Sequence, residues 1–428
     1  MSGAPATGST LQDWLQFIER QHPNAIAMGL DRVREVAARL QLERPAAQVI
    51  TVAGTNGKGS TVAFIEAIAR AGGWRVGAYT SPHLLRYNER VRIDGDEASD
   101  QALVDAFVQV EAARGDTPLT YFEYSTLAAL WLFQQAGLDL AVLEVGLGGR
   151  LDAVNLVDPD VAVITTVDID HTDWLGAERE TIGREKAGIA RAWKPLVLGE
   201  VDPPSSVLRH AYAIGANAIR LGSDFFHETV DAAHWRWREV GAELLLPQPQ
   251  LAALAQQANA ATAIAALRAL PGAGVPEEAY AAGVASATLA GRLQRFERDG
   301  IEIVVDVAHN MQAARGLAAW LGAQTGGGAT AAVFAALADK DAAAMVDALA
   351  GSVSRWHLAG LDDTMRGLEV DAFAARLSAT AAASATRDTR VADALARAVA
   401  GSAPGDRVLV FGSFHTASAA IAALRSGL

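Results

Sequence analysis

The sequence predicts an α/β protein of two domains: a larger one on a mostly parallel sheet that carries a phosphate-binding loop, then a smaller one. Three observations predict it. From residue 49 onward short apolar runs alternate with amphipathic segments, as in a parallel sheet covered by helices. A glycine-rich turn lies between the first apolar run and the first amphipathic segment. The alternation then restarts near Gly291, after the turn-rich PGAGVPE. A chain of 428 residues, 51% of them hydrophobic, has the length for two or three ordinary domains and the apolar content for their cores.

Residues 1–10 are small and polar without periodicity, and a tail is expected there. Helical spacing covers 11–20. After a turn at Pro23 a second helix is expected over 29–40, with Leu30, Val33, Val36, Ala37 and Leu40 on one face. QVITVAG (48–54), RVGAYTS (75–81), LDLAVLEVG (138–146) and DVAVITTVD (160–168) are short enough for buried strands. Segments 61–71 and 125–136 suit crossover helices. The pattern weakens over 222–250 into a small antiparallel excursion with a Pro-containing end, and an Ala-rich helix is expected over 251–270. In the second half IEIVVDVAHN (301–310), ATAAVFAAL (329–337), SRWHLAG (354–360) and RVLVFGSF (407–414) read as strands, with helices such as 311–321 and 416–424. The domains are placed at 1–290 and 291–428.

Composition excludes several function classes. With 36 basic and 49 acidic residues the net charge is -13, which disfavours nucleic-acid and anionic-membrane partners. The absence of cysteine removes disulfides, zinc-thiolate sites and thiol nucleophiles. No apolar run is long enough to span a bilayer and no signal-peptide pattern opens the chain, so a cytoplasmic location is expected. Only Lys58, Lys186, Lys194 and Lys340 are lysines, against 32 arginines, so each lysine is a candidate for work that arginine cannot do.

VITVAGTNGKGSTVAFIEAI (49–68) places a strand, a glycine-rich turn and a helix in order, the context of a phosphate loop. Gly54, Gly57 and Gly59 let backbone N–H groups approach phosphate oxygens. Lys58 adds a point charge, and the helix beginning near Ser60 turns its positive end to the anion. The spacing departs from G-x-x-x-x-G-K-[ST]: Val52 stands at the first glycine and Gly59 separates Lys58 from Ser60.

GTNGKGST in this form resembles the loop of the Mur ligases, which join a carboxylate to an amine at the expense of ATP. TSPHLLRYNERVRIDG (80–95), LTYFEYSTLAAL (119–130), LEVGLGGRLDAVN (143–155), DIDHTDWLG (168–176), IGREKAGI (182–189), GRLQRF (291–296), VVDVAHN (304–310) and GSFHT (412–416) narrow the match. Together, and in order from residue 11 to the end, they resemble the bacterial dihydrofolate synthase/folylpolyglutamate synthase family. The resemblance implies a P-loop-containing ATP-binding domain followed by a smaller Rossmann-like glutamate-ligase domain. It also implies ATP contacts at Thr55, Asn56, Gly57, Lys58, Gly59, Ser60 and Asn259, at Arg292 through phosphate and at Asp306 through ribose.

ATP chemistry calls for a divalent cation, with ligands at strand ends beside the loop. Ser81 follows RVGAYT, Glu144 ends LDLAVLE and His171 follows DVAVITTVDID; the resemblance assigns the three to magnesium. Ser81 reads equally as a turn residue and His171 as a loop or core residue. A carboxylate at the end of an apolar run has fewer alternatives, because burial without a partner costs several kcal/mol. Lys186 reads by itself as an exposed helix residue opposite Ile182 and Ile189. The resemblance implies that carbon dioxide carbamylates it, giving an anionic ligand for a second Mg2+. Only a deprotonated primary amine undergoes this reaction, and burial favours deprotonation.

For the substrates, the resemblance places dihydropteroate against Ile26, Ala27, Met28 and Gly29, against Thr120, Tyr121, Phe122 and Glu123, and against Leu151, Asp152 and Ala153. Phe122 offers an aromatic face and Asp152 an acceptor for ring N–H groups. His309 and Ser413, after the strands at 301–308 and 407–412, would receive L-glutamate, with Lys58, Lys186 and His309 as the catalytic set. Lys340 has no role readable from spacing, and Lys194 looks like plain surface. The implied partners are ATP, dihydropteroate, folates and L-glutamate, with the protein a monomer. A folylpolyglutamate synthase lacking the dihydropteroate activity shares the ATP machinery and stays as the alternative. A cell-wall ligase is disfavoured because only about fifty residues precede the loop. A nucleotide switch has no use for Glu144, His171 and Lys186 together.

Overall fold

The computed structural model describes residues 4–5, 8–22, 26–272, 274–324, 327–362, 364 and 366–427. The turn expected at Pro23 lies outside them. The chain forms two compact units, one of Met1–Gln250 with Gln256–Thr288 and one of Leu251–Ala255 with Leu289–Leu428.

In the first unit, helices α1 (Leu11–Ile18) and α2 (Asp31–Arg39) precede the sheet. α1 begins in a capping box, the Thr10 side chain accepting from the Asp13 amide while Asp13 accepts from Thr10. The second helix starts later than its apolar spacing suggests, because Gly29 sits at φ 137°, outside helical backbone. The sheet contains β1 (Ala46–Ala53), β2 (Val76–Tyr79), β3 (Val91–Ile93), β4 (Asp96–Glu97), β5 (Leu138–Glu144), β6 (Val161–Ile164), β7 (Pro195–Leu198) and β8 (Asn217–Arg220), in the order β4-β3-β2-β5-β1-β6-β7-β8. The run from β2 to β8 is parallel, and β3 and β4 extend it antiparallel at one edge.

α3 (Lys58–Ala71), α4 (Asp100–Arg114), α5 (Tyr121–Ala136), α6 (Thr172–Leu175), α7 (Arg179–Ala187) and α8 (Ser205–Ala213) connect these strands. α5 starts at Tyr121, four residues before the expected 125, because Thr120 and Glu123 form a second capping box. β6 ends at Ile164, short of the expected 168, because the next residues bond to the phosphate loop instead of to β7. The antiparallel excursion is a three-stranded sheet of β9 (Phe225–Thr229), β10 (His234–Glu239) and β11 (Ala242–Pro247). Its buried Trp237 donates through Nε1 to the Ala261 carbonyl on α9 (Gln256–Arg268). α9 starts five residues later than the expected Ala-rich helix, and 251–255 belong to the other unit. α10 (Glu277–Ser286) closes the first unit.

The second unit has its own six-stranded sheet. β12 (Gln294–Arg298), β13 (Ile301–Val305), β14 (Thr330–Phe334), β15 (Arg355–Ala359), β16 (Thr386–Asp388) and β17 (Arg407–Phe411) lie in the order β12-β13-β17-β14-β15-β16, parallel except for β12. Helices α11 (Met311–Ala323), α12 (Ala342–Leu349), α13 (Val370–Ala375), α14 (Val391–Ala400) and α15 (Phe414–Arg425) complete it. Phe334 stacks on Phe411 at 4.7 Å and meets Trp356 edge-on, which anchors a core separate from that of the first unit.

Candidate active site

The strand order brings four carboxyl ends side by side in the first unit, those of β2, β5, β1 and β6. Ligands of open parallel sheets gather at such ends. The phosphate loop follows β1. Gly57 is the N-cap of α3 at φ 87°, and a Cβ there would lie 2.6 Å from Asn259 Oδ1, so a side chain is excluded both by backbone conformation and by α9. The loop is braced by the segment after β6: the Asn56 amide donates to Thr166 Oγ1, Thr165 Oγ1 donates to the Asn56 carbonyl, and Thr55 Oγ1 donates to the Asp168 carbonyl. Ser60 is buried and receives a bond from Gln256 Nε2, whose own Oε1 accepts from Asn259 Nδ2. Gln256 therefore links two expected ATP residues, although no sequence motif marked it.

Lys58 Nζ donates to the carbonyls of Gly54 and Thr55, folded back over the loop. Its charge reaches two groups on other segments. Asp152 is a buried carboxyl pushed up to about 7 by desolvation, against the opposing pull of its hydrogen bonds and Lys58. Lys186 is buried on α7, not in solvent, and burial with the Lys58 charge pushes its amine down to about 7. The charges of Asp170, Asp152 and Glu200 act on Lys186 in the other direction. Glu200 is itself raised to about 7 by burial and is held by Arg179 Nη2 at 2.7 Å and the Val167 amide at 3.0 Å.

Glu144 ends β5 with 4% exposure, and its Oε2 accepts from the Ser81 amide at 3.3 Å. His171 follows β6 in left-handed backbone, φ 53° and ψ 43°, an uncommon state for a non-glycine residue and one that collects at functional sites. Its amide donates to Asp170 Oδ1. Among the described residues no three His, Asp or Glu side chains form a metal cluster by themselves. The Ser81 hydroxyl and the Glu144 carboxylate offer oxygen donors to a cation, and the His171 imidazole a nitrogen donor. That oxygen-rich donor set suits a hard divalent ion.

The three segments expected around the pteridine are joined to one another. The Gly29 amide donates to the Leu151 carbonyl at 3.4 Å. Arg32 Nη2 donates both to the Ala27 carbonyl and to Glu123 Oε1, each at 2.9 Å. Thr120 and Glu123 have capping roles in α5, so their side chains are engaged locally. Asp152 accepts from the Leu147 and Val154 amides. Phe122 lies against Gly146, where a Cβ would stand 2.6–3.1 Å from three ring atoms. Tyr121 packs under the Arg90 guanidinium at 5.5 Å, Met28 reaches Gly148, Ala153 is buried and Ile26 half-buried.

In the second unit Asp306 follows β13 and accepts from the Leu293 and Ala308 amides, which fixes the turn carrying Arg292. Leu293 is held there at φ 45°. The Phe414 ring stands 5.4 Å from the Arg292 guanidinium and 5.9 Å from the His309 ring, gathering both into one cluster. Ser413 is 2% exposed and caps α15 through the Thr416 amide. Lys340 is buried after β14 beside Asp339, at 3.5 Å. Lys194 pairs with Asp160 at 3.5 Å and donates to the Pro159 carbonyl at 2.8 Å, a tie between the starts of β7 and β6.

Sequence reasoning passed over Arg32, Gln256, Asp170 and Glu200. Glu200 had the same signal as Glu144, a carboxylate after an apolar run, PLVLGE, but 195–198 was not read as a strand.

Known proteins agree with this architecture. The Mur ligase middle domain matches residues 52–267 and the Mur ligase glutamate ligase domain matches 291–414. The dihydrofolate synthase/folylpolyglutamate synthase of Escherichia coli K12 is 46% identical over 413 residues, 96% of this chain and 95% of that protein. The solved structure of E. coli FolC in complex with DHPP and ADP superposes with a TM-score of 0.93 at 44% identity, covering 99% of this chain and 100% of the other. A bifunctional folylpolyglutamate synthase/dihydrofolate synthase with Mn, AMPPNP and L-glutamate bound superposes with a TM-score of 0.90, also at 44% identity, over 99% and 100% of the two chains. With such likeness along almost its whole length, the chain belongs to the dihydrofolate synthase/folylpolyglutamate synthase family of Mur ligases.

Proposed function

We propose that this protein is an ATP-dependent ligase that joins L-glutamate to dihydropteroate, giving dihydrofolate, and to folates, giving folylpolyglutamates. Residues 1–290 are the ATP-binding domain and 291–428 the glutamate-ligase domain. The protein acts as a cytoplasmic monomer; no helix of the described residues is long and apolar enough to cross a membrane. The observation that carries the reading is the sheet order, which sets the phosphate loop after β1 next to the end of β5, from which the chain runs on to Asp152 in the expected pteridine segment. It links a phosphate site to a site for the acid that is to be activated.

In the first step the substrate carboxylate attacks the γ-phosphorus of ATP, the bond to ADP breaks and an acyl phosphate forms. Lys58 exchanges its loop carbonyls for phosphate oxygens, and the N-terminus of α3 stabilises the charge spread over the transferring group. Ser81, Glu144, His171 and carbamylated Lys186 would hold two Mg2+ ions, which neutralise phosphate charge when bound. Asn259 and Gln256 hold the loop in shape. The glutamate amine then attacks the acyl carbon, phosphate leaves and the amine proton is released. Arg292 and Asp306 contact ATP, while His309 and Ser413 receive glutamate, with Ser413 acting where its capping geometry leaves it. The experiment is phosphate release from ATP, measured with dihydropteroate plus L-glutamate and with tetrahydrofolate plus L-glutamate. Release in both is expected. Release with the folate alone would select the monofunctional activity, and release dependent on neither acceptor would remove the ligase reading.

A further inference from the structure

Arg32 lies in the first turn of α2, at a position that no motif of the sequence singled out. One nitrogen of its guanidinium, Nη2, serves two acceptors 2.9 Å away, the Ala27 carbonyl and Glu123 Oε1. These acceptors lie on separate segments. Ala27 belongs to residues 26–29, which have no regular secondary structure, and Glu123 to the first turn of α5. Glu123 is 3% exposed, and its other oxygen accepts from the Thr120 amide at 2.8 Å, so its carboxylate is fixed before Arg32 reaches it. The segment at 26–29 is further tied to Leu151 through the Gly29 amide. Among the described residues, a charge-assisted link between 26–29 and 120–123 runs through Arg32.

We propose that Arg32 is a positioning residue for the pteridine subsite, holding residues 26–29 against the start of α5 so that the pocket is formed before the substrate arrives. The proposal rests on the reading of these segments as the dihydropteroate pocket. A pocket formed in advance binds without the cost of ordering an irregular segment. Loss of the tie therefore weakens dihydropteroate binding and leaves the phosphate loop and the glutamate cluster as they were.

The test compares wild type with Arg32→Met, Arg32→Lys and Glu123→Gln by steady-state phosphate release and by hydrogen exchange of the substrate-free proteins. Arg32→Met is expected to raise KM for dihydropteroate at least tenfold, with KM for ATP and for L-glutamate and kcat all within twofold. Amides around Gly29 are expected to exchange at least tenfold faster. Arg32→Lys, which keeps a positive charge near both acceptors, is expected to recover part of each loss. Glu123→Gln keeps the side-chain shape without the charge and should shift KM in the same direction, which covers the case of a poorly folded methionine variant. Unchanged exchange and unchanged KM would overturn the proposal alone, as would a fall in kcat with every KM unaltered. Faster exchange in Arg32→Met, combined with wild-type protein that releases no phosphate with dihydropteroate, would instead overturn the functional reading beneath it.

Discussion

At the scale of single residues, Lys58 and Lys186 differ in how deeply they are buried. Lys58 is half-buried and bonds to the carbonyls of Gly54 and Thr55, whereas Lys186 is enclosed and its amine is pushed down to about 7 by burial. Arginine cannot be deprotonated or carbamylated there. Lys186→Arg is therefore expected to abolish turnover, while Lys186→Met, which keeps the buried volume without the charge, should do so with a thermal transition near that of wild type; an unchanged rate of phosphate release would remove Lys186 from the mechanism. Asp152 gives a pH signature. Its folded pKa is about 7 against an ordinary 3.8, so the folded state keeps a proton that the unfolded chain releases between those values. The resulting stabilisation is fully present below pH 3.8 and is lost as pH rises through 7. In Asp152→Asn, unfolding free energies from urea titrations should fall less steeply over this interval than in wild type, whatever the constant cost of the altered bonds to the Leu147 and Val154 amides.

At the scale of elements, helix α3 and strand β1 meet at a junction that tolerates little change. A Cβ at Gly57 meets Asn259 and forces left-handed backbone on an ordinary side chain, a strain of about 1–2 kcal/mol before the clash is counted. Gly57→Ala should raise the dissociation constant for ADP at least tenfold in calorimetry while far-ultraviolet dichroism stays unchanged. The same helix is tied to β3 by an ion pair between Glu66 and Arg92, 2.7 Å long with side chains 8% and 15% exposed. Arg92 also donates to Thr80 Oγ1 and the Glu89 carbonyl, next to the loop that carries Ser81. Arg92→Met leaves a buried carboxylate uncompensated and should cost about 3–5 kcal/mol in chemical denaturation. The capping boxes at Thr10 and Thr120 show why element types were legible in the sequence while some limits were not. The Thr120 and Glu123 pair is a local start signal of the T-x-x-E kind, yet the expected helix began at 125 because apolar spacing alone was followed.

At the scale of the whole molecule, a net charge of -13 must coexist with anionic substrates. In the proposed function the attraction is local, from Lys58, the start of α3 and the Arg292 cluster. Retention on heparin at about 0.15 M salt, where the Debye length is about 8 Å, is therefore expected to be nil. Binding to heparin under those conditions would mean that a basic face exists after all. Each unit has its own sheet and its own core, and the strand order within each sheet sets which loops become neighbours.

The parallel α/β class, the phosphate loop with its lysine, the antiparallel excursion and the carboxylate ending β5 were all written in local pattern: apolar period, glycine spacing and residue type. Strands β7 and β8, helix α4 and the shortening of β6 were not. A four-residue strand such as PLVL carries too little period to announce itself, and β6 ends where it does because Thr165 and Thr166 bond to a loop more than a hundred residues earlier in the chain. The depth of Lys186 also came from tertiary structure. Its helix reads as amphipathic with the lysine outside, and only packing, with the close approach of Gly149 to its Cα, encloses it. Local periodicity states which face of an element is apolar; which polar group is buried with it depends on what the rest of the chain lays against that face.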